Sequence, residues 1–268
     1  MFEMMIHRWL RVPYTLHVRE LRAVKNPRAT LLFIHGIGST GAEWDEVIKQ
    51  LPDDVALLTI DLLGFGESPR PSWATYNANT QAKSVIATLV RAGIGRKLII
   101  IGHSLGALVA VEVARRYPII VQSLILCSPP FYKPDDDSPL LNADEALRRI
   151  YGGVEGREAA LVKLSAIAVR FKLVNAAFNV TSDNVDTYIA TLRSTIINQT
   201  TLEDAKKIKK PITIIYGSLD PFVIDRNIKE LAAVNPHVTR AKILIGHEII
   251  GRYVPAVVRE ITKHVANK

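Results

Sequence analysis

The chain has a single cysteine, Cys127, among its 268 residues, so no disulfide can form within it. A lone thiol fits a reducing compartment. Uncharged apolar runs of the length a membrane helix requires are also missing. Met1 to Tyr14 is broken by Glu3, His7, Arg8, Arg11 and Pro13, which leaves no apolar signal-peptide segment. These absences lead to the expectation of a soluble, cytoplasmic protein. No convincing zinc-ligand cluster is present, and neither repeats nor low-complexity tracts occur. Metal-centred hydrolysis and solenoid binding surfaces therefore drop out.

What is present is an ordinary globular balance, 48% hydrophobic and 22% charged, with a formal net charge of +8. The basic residues are scattered, apart from short clusters such as Lys206-Lys207 and Lys209-Lys210. An aromatic-studded basic stripe is lacking, so nucleic acid is not an expected partner. A solvated surface accounts for the charge. An acyl group borne on an acidic protein or on coenzyme A is the weaker alternative.

Apolar runs and helical patterns alternate along the chain, the mark of a mostly parallel sheet covered by helices. Strands are expected at 14–21, 30–34, 55–60, 97–101, 123–126, 212–216 and 241–245. Helices are expected at 42–51, from a cap at Thr80 to 92, and at 105–117, 225–234 and 254–265. From 131 to 207 strand alternation disappears, and helical segments are expected at 143–151, 157–175 and 185–195. The reading is an α/β core domain made of residues 1–130 and 208–268, divided by a helical cap insertion at 131–207.

The strongest local signal is Gly102-His103-Ser104-Leu105-Gly106, a G-x-S-x-G turn between a buried-type strand and a helix. Such a turn lifts a serine above the sheet edge in a strained conformation that leaves no room for side chains at its flanks. A serine needs a base within hydrogen-bonding reach and a third group to orient that base. His7, His17, His237 and His264 are read as structural or solvated, and His35 and His103 as turn residues. His247 follows the last strand, beside Gly246, at the edge where open α/β sheets place their sites. Asp220 lies in the turn after the strand 212–216, and the chain order Ser104, Asp220, His247 is the one associated with this elbow. Backbone N–H groups of Leu105 and Ile37 are the expected oxyanion donors. Ile37 lies in the glycine-rich loop His35-Gly36-Ile37-Gly38-Ser39, for which a dinucleotide-binding turn is set aside.

Taken together these motifs resemble the α/β-hydrolase fold superfamily over nearly the whole chain, specifically its serine esterases and lipases with a helical cap. The matching stretches are 35–39, Asp61-Leu62-Leu63-Gly64-Phe65-Gly66-Glu67-Ser68, 102–106, Tyr216-Gly217-Ser218-Leu219-Asp220 and Gly246-His247-Glu248. The resemblance implies that the 61–68 loop shapes the fold near the site without joining the triad, and that the insert roofs the site. Ser104 departs from the aspartate nucleophile of haloalkane dehalogenases and epoxide hydrolases. Glu248 departs from the tryptophan that follows the catalytic histidine in meta-cleavage C–C hydrolases. The single-glycine oxyanion loop looks like that of esterases and lipases. The expected activity is cleavage of a small-molecule carboxylic ester through an acyl-enzyme, with no metal or organic cofactor. Thioesterase, carrier-linked methylesterase, C–C hydrolase, perhydrolase or acyltransferase chemistry, and a receptor with little turnover, are the alternatives. Leu161, Leu164, Ile167, Phe171, Leu173 and Phe178 are compatible with an apolar acyl pocket, although packing of the cap onto the core explains them as well.

Overall fold

The computed structural model describes residues 5–95, 97–134, 136, 154–170 and 174–266, with side chains described from 159 onward in the segment that opens at 154. Seven strands form one sheet: β1 (Val18–Arg22), β2 (Thr30–Ile34), β3 (Ala56–Ile60), β4 (Leu98–His103), β5 (Val121–Cys127), β6 (Ile212–Gly217) and β7 (Val238–Ile243). Their order is β1-β3-β2-β4-β5-β6-β7. Only β1 is antiparallel, paired to β3 with a register shift between Val18 and Glu20; the other pairings are parallel.

The inner strands carry unbroken apolar runs because helices cover both sheet faces. Leu32 and Ile34 of β2 and Ile100 of β4 point into one core with the helices α2 (Ala78–Arg91) and α3 (Leu105–Arg116). Leu31, Phe33, Ile99 and Ile101 point the other way, against Trp44, Tyr253 and Val257. Trp44 ends a 3-10 turn (Gly41–Trp44) that runs into the short helix α1 (Asp45–Ile48), and Tyr253 opens the last helix. These alternating faces are the period of 2 of a strand with apolar partners on either side.

Between β5 and β6 come α4 (Val154–Arg170), α5 (Val185–Thr191) with a π-helical continuation (Leu192–Ile197), and α6 (Thr201–Ala205). The chain closes with α7 (Asp225–Val234) before β7 and α8 (Tyr253–Ala266) after it. The expected helix at 143–151 lies outside the described residues, as do Phe171 and Leu173. Among the described residues, no helix is long and apolar enough to cross a membrane.

Several local expectations differ from what is observed: the first strand runs 18–22, not 14–21, and the helix expected at 157–175 runs 154–170. The last strand runs 238–243, not 241–245, because it is an edge strand: Thr239 and Arg240 face solvent, so its hydrophobic signal is weak. The cap of α2 is Asn77, whose side chain accepts from the Thr80 N–H at 2.9 Å. The expected helix over 42–51 is only a 3-10 turn and one α turn.

Candidate active site

The site lies at the C-terminal ends of β2, β4, β6 and β7. Ser104 follows β4 directly, with φ 49° and ψ −115°, a combination outside the allowed regions for side-chain-bearing residues. Two glycines make that turn possible. A Cβ on Gly102 would stand 2.4 Å from the Gly106 carbonyl oxygen, and one on Gly106 would stand 2.2 Å from that of Ile34. The turn is also held from β5, since the Ser104 N–H donates to the Cys127 carbonyl at 2.9 Å.

Asp220 and His247 meet because the chain ends of β6 and β7 are zipped together. Ser218 N–H donates to Ile243 O at 2.8 Å and Leu219 N–H to Ile245 O at 3.1 Å. Gly217 permits this approach: a Cβ there would lie 2.1 Å from Ile245 O. The product is a 2.8 Å hydrogen bond between His247 Nδ1 and Asp220 Oδ2. Burial pushes the Asp220 carboxyl up, but hydrogen bonds from His247, Ser128 and the Phe222 N–H, together with the His247 charge interaction, hold it below the usual carboxylate range. Ser128 in turn lies 3.0 Å from the Tyr253 hydroxyl, which donates to Ile215 O at 2.7 Å. The aspartate therefore rests on a floor that sequence reading did not find.

Ser104, His247 and Ile37 line one cavity of about 150 Å³. Its other walls include Phe178, Tyr188 and Phe222, with Phe222 packed edge-on to the His247 ring at 4.9 Å between centroids. Among the described residues, the N–H groups of Ile37 and Leu105 form no hydrogen bond. All five residues singled out from sequence thus fall at one place: Ser104, Ile37 and His247 on the cavity wall, Asp220 behind His247, and Leu105 at the first position of α3 beside Ser104. The residues 174–199 bear on the same loops. Asn179 N–H donates to Gly38 O at 2.7 Å, and Thr195 Oγ1 donates to Tyr76 O at 2.8 Å.

Gly36, Gly38 and Gly41 do carry the G-x-G-x-x-G spacing, and Asp61 ends the next strand, so spacing alone does not dispose of a dinucleotide site. The partners of these groups do. Gly36 N–H is taken by Glu43 Oε2 at 2.8 Å, and Asp61 accepts from the Gly41 and Glu67 N–H groups at 2.8 and 3.0 Å. Asp61 is the internal anchor of the 61–68 loop. Among the described residues, no group of His, Cys, Asp and Glu is arranged to hold a metal ion.

Two histidines read as turn residues do more than shape turns. His35 Nε2 accepts from the Leu62 N–H at 2.8 Å, tying β2 to the 61–68 loop. His103 is paired with Glu43 in the interior. The only sequence hint for Glu43 was a carboxylate next to Trp44 on the face of a short helix that packs inward.

A family profile described as alpha/beta hydrolase fold matches residues 29–165. The chain is 31% identical over 122 residues to Probable lysophospholipase BODYGUARD 4 of Arabidopsis thaliana, covering 45% of this chain and 29% of that protein. It therefore spans less than a third of the length of that relative. Lipase 3 of Moraxella sp. is 26% identical over 252 residues, 88% of this chain and 75% of that protein. In fold, the chain is similar to the crystal structure of the enol-lactonase from Burkholderia xenovorans LB400, with TM-score 0.74 at 18% identity over 94% of this chain and 96% of that one. With its seven-stranded, mostly parallel sheet and a profile match over just over half its length, the chain belongs to the alpha/beta hydrolase fold family.

Proposed function

We propose that the protein hydrolyses carboxylic esters with short, apolar acyl groups, using Ser104 as nucleophile, His247 as base and Asp220 as its orienting carboxylate. The observation that carries this reading is the 2.8 Å His247–Asp220 hydrogen bond on the wall of the same cavity as a serine in a strained strand-to-helix turn. Asp220 accepts from Nδ1, which fixes the tautomer and leaves Nε2 as the base for the serine proton. The Ile37 and Leu105 N–H groups meet the charge that grows on the carbonyl oxygen, and each such donor is worth on the order of 10² to 10³ in rate. His247 then protonates the leaving alcohol, and water releases the acid from Ser104. The chemistry asks for no cofactor.

The short acyl group is assigned to the space of about 150 Å³ beside Ile37 and Phe178, which is small beside the ~300–1,000 Å³ of sites for drug-sized ligands. A neighbouring space of about 520 Å³, which shares Val174, Phe222, His247 and Glu248 with it, is left for the leaving group. Residues 131–207 serve in this reading as the cap, with Phe178 and Tyr188 closing the acyl end. The relatives named Lipase 3 and Probable lysophospholipase BODYGUARD 4 support ester cleavage.

The test is hydrolysis of p-nitrophenyl esters from acetate to palmitate by wild type and Ser104→Ala. Turnover that peaks at the shortest chains and vanishes in the variant is the expected result. Activity retained in Ser104→Ala would overturn the nucleophile. A folded wild type that turns over no ester would overturn ester hydrolysis itself and favour a receptor.

A further inference from the structure

Glu43 and His103 form a buried ion pair that the triad chemistry does not consume. They are 2% and 3% exposed. Glu43 Oε1 meets His103 Nδ1, and among the described residues neither atom has another hydrogen-bond partner. His103 Nε2 lies 3.0 Å from the carbonyl oxygen of His247. A carbonyl can only accept, so Nε2 carries a proton; Nδ1 faces a carboxylate and carries one as well. The ring is an imidazolium, and the carboxylate balances it. Burial works against the charge, but Glu43, aided by Glu248 and the His247 carbonyl, overcomes it and raises the His103 pKa to about 9. His35, Cys127 and His247, whose ring centroid lies 4.9 Å from that of His103, are the other titratable groups facing this pair. The second oxygen of Glu43 accepts from the Gly36 N–H at 2.8 Å.

Three segments therefore converge on two side chains. The oxyanion loop is held through Gly36, the base loop through the His247 carbonyl, and the elbow through His103, next to Ser104. We propose that Glu43 and His103 are positioning residues that tie the backbones of the base loop and the oxyanion loop to the nucleophile elbow, so that the His247 ring and the Ile37 N–H stay aligned on Ser104. The proposal rests on the hydrolase reading of the site. A buried pair of this kind is costly to assemble and adds little net stability. Its return is alignment, and a misplacement of about 1 Å at a reacting group costs on the order of 10²-fold in rate.

Glu43→Gln isolates the charge. Its amide can still accept from Gly36 and can donate to the Nδ1 of a neutral imidazole. In wild type, loss of the His103 proton leaves an acceptor facing an acceptor, whichever nitrogen gives it up. The expected kcat profile of wild type on p-nitrophenyl acetate has an alkaline limb near pH 9 with flat KM, which disappears in Glu43→Gln. Glu43→Ala, which cannot bridge the two loops, should lose roughly 10- to 100-fold in kcat with KM within about twofold. An alkaline limb that is the same in wild type and Glu43→Gln, no limb in wild type, or kcat in Glu43→Ala within about twofold of wild type would each overturn the proposal. Should Glu43→Ala fail to fold, the Glu43→Gln profile decides. Nitrogen-15 NMR of the histidine side chains gives a reading independent of turnover. A doubly protonated His103 at pH 8 in wild type and a neutral one in Glu43→Gln are expected. A neutral His103 in wild type at pH 8 would sink the positioning role even if no ester were hydrolysed, and an imidazolium with no ester turnover would sink only the ester reading.

Discussion

Replacing Ser104 by glycine should make the protein more stable than replacing it by alanine, although both changes remove the hydroxyl. The reason lies in the backbone at φ 49° and ψ −115°. A residue with a Cβ held in such a region costs on the order of 1–3 kcal/mol. Alanine keeps that strain and glycine relieves it. Glycine also gives the unfolded chain more freedom, which takes back about 0.4–1 kcal/mol. The net gain of Ser104→Gly over Ser104→Ala is then roughly 0.5–2 kcal/mol. At about 2–4 °C per kcal/mol for a chain of this class, the melting temperature should be higher by roughly 1–8 °C. Differential scanning calorimetry of the two variants, side by side with wild type, measures this. Because neither variant carries the hydroxyl, the comparison isolates the backbone. A Ser104→Gly protein that melts at or below Ser104→Ala would refute the idea that the elbow stores strain.

Other consequences can be checked in the same preparations. Asp61 is held below the usual carboxylate range against its burial by the Gly41 and Glu67 N–H groups and by His17. Its contribution to stability is therefore present above the ordinary aspartate pKa and lost as pH falls through the lowered one; urea midpoints at pH 7 and pH 4 should differ less in Asp61→Asn than in wild type. Tyr253→Phe removes one of two hydrogen bonds to the Ile215 carbonyl, which keeps the Ser128 N–H at 2.8 Å, and should cost about 0.5–1.5 kcal/mol in urea denaturation. Gly106→Ala should yield no folded protein, since its Cβ would stand 2.2 Å from a backbone oxygen. Gly93→Ala, at φ +68° with nothing within 4 Å, should fold and lose only about 1–2 kcal/mol.

The parts of the fold that were legible are those where one local signal decides the outcome. Residues 30–34 and 225–234 appear as expected because a continuous apolar run and a clear helical period leave no competing reading. The last strand begins three residues before its apolar signal because, at the sheet edge, Thr239 and Arg240 are exposed on both of its faces. For the site, the G-x-S-x-G turn and the two strand-end residues were enough to gather Ser104, Asp220, His247, Ile37 and Leu105 in one place. What could not be seen was the support beneath them. Glu43 and His103 are 60 positions apart, as a pair they match no motif, and each alone has an ordinary local explanation. Ser128 and Tyr253 were hidden for the same reason, since only the packing of α8 against β6 brings them to Asp220. Long-range polar partnerships leave no period in a sequence.

On the proposed triad, the sheet order has a bearing on when Ser104 becomes reactive. The Ser104 turn follows β4 and the Ile37 loop follows β2, at the centre of the sheet, whereas Asp220 and His247 follow β6 and β7, which complete one flank. A chain whose last two strands have not docked has a bent serine and a glycine-rich loop but lacks the proposed base. Its hydroxyl is then an ordinary alcohol. On the proposed triad, reactivity comes only with the closure of the sheet.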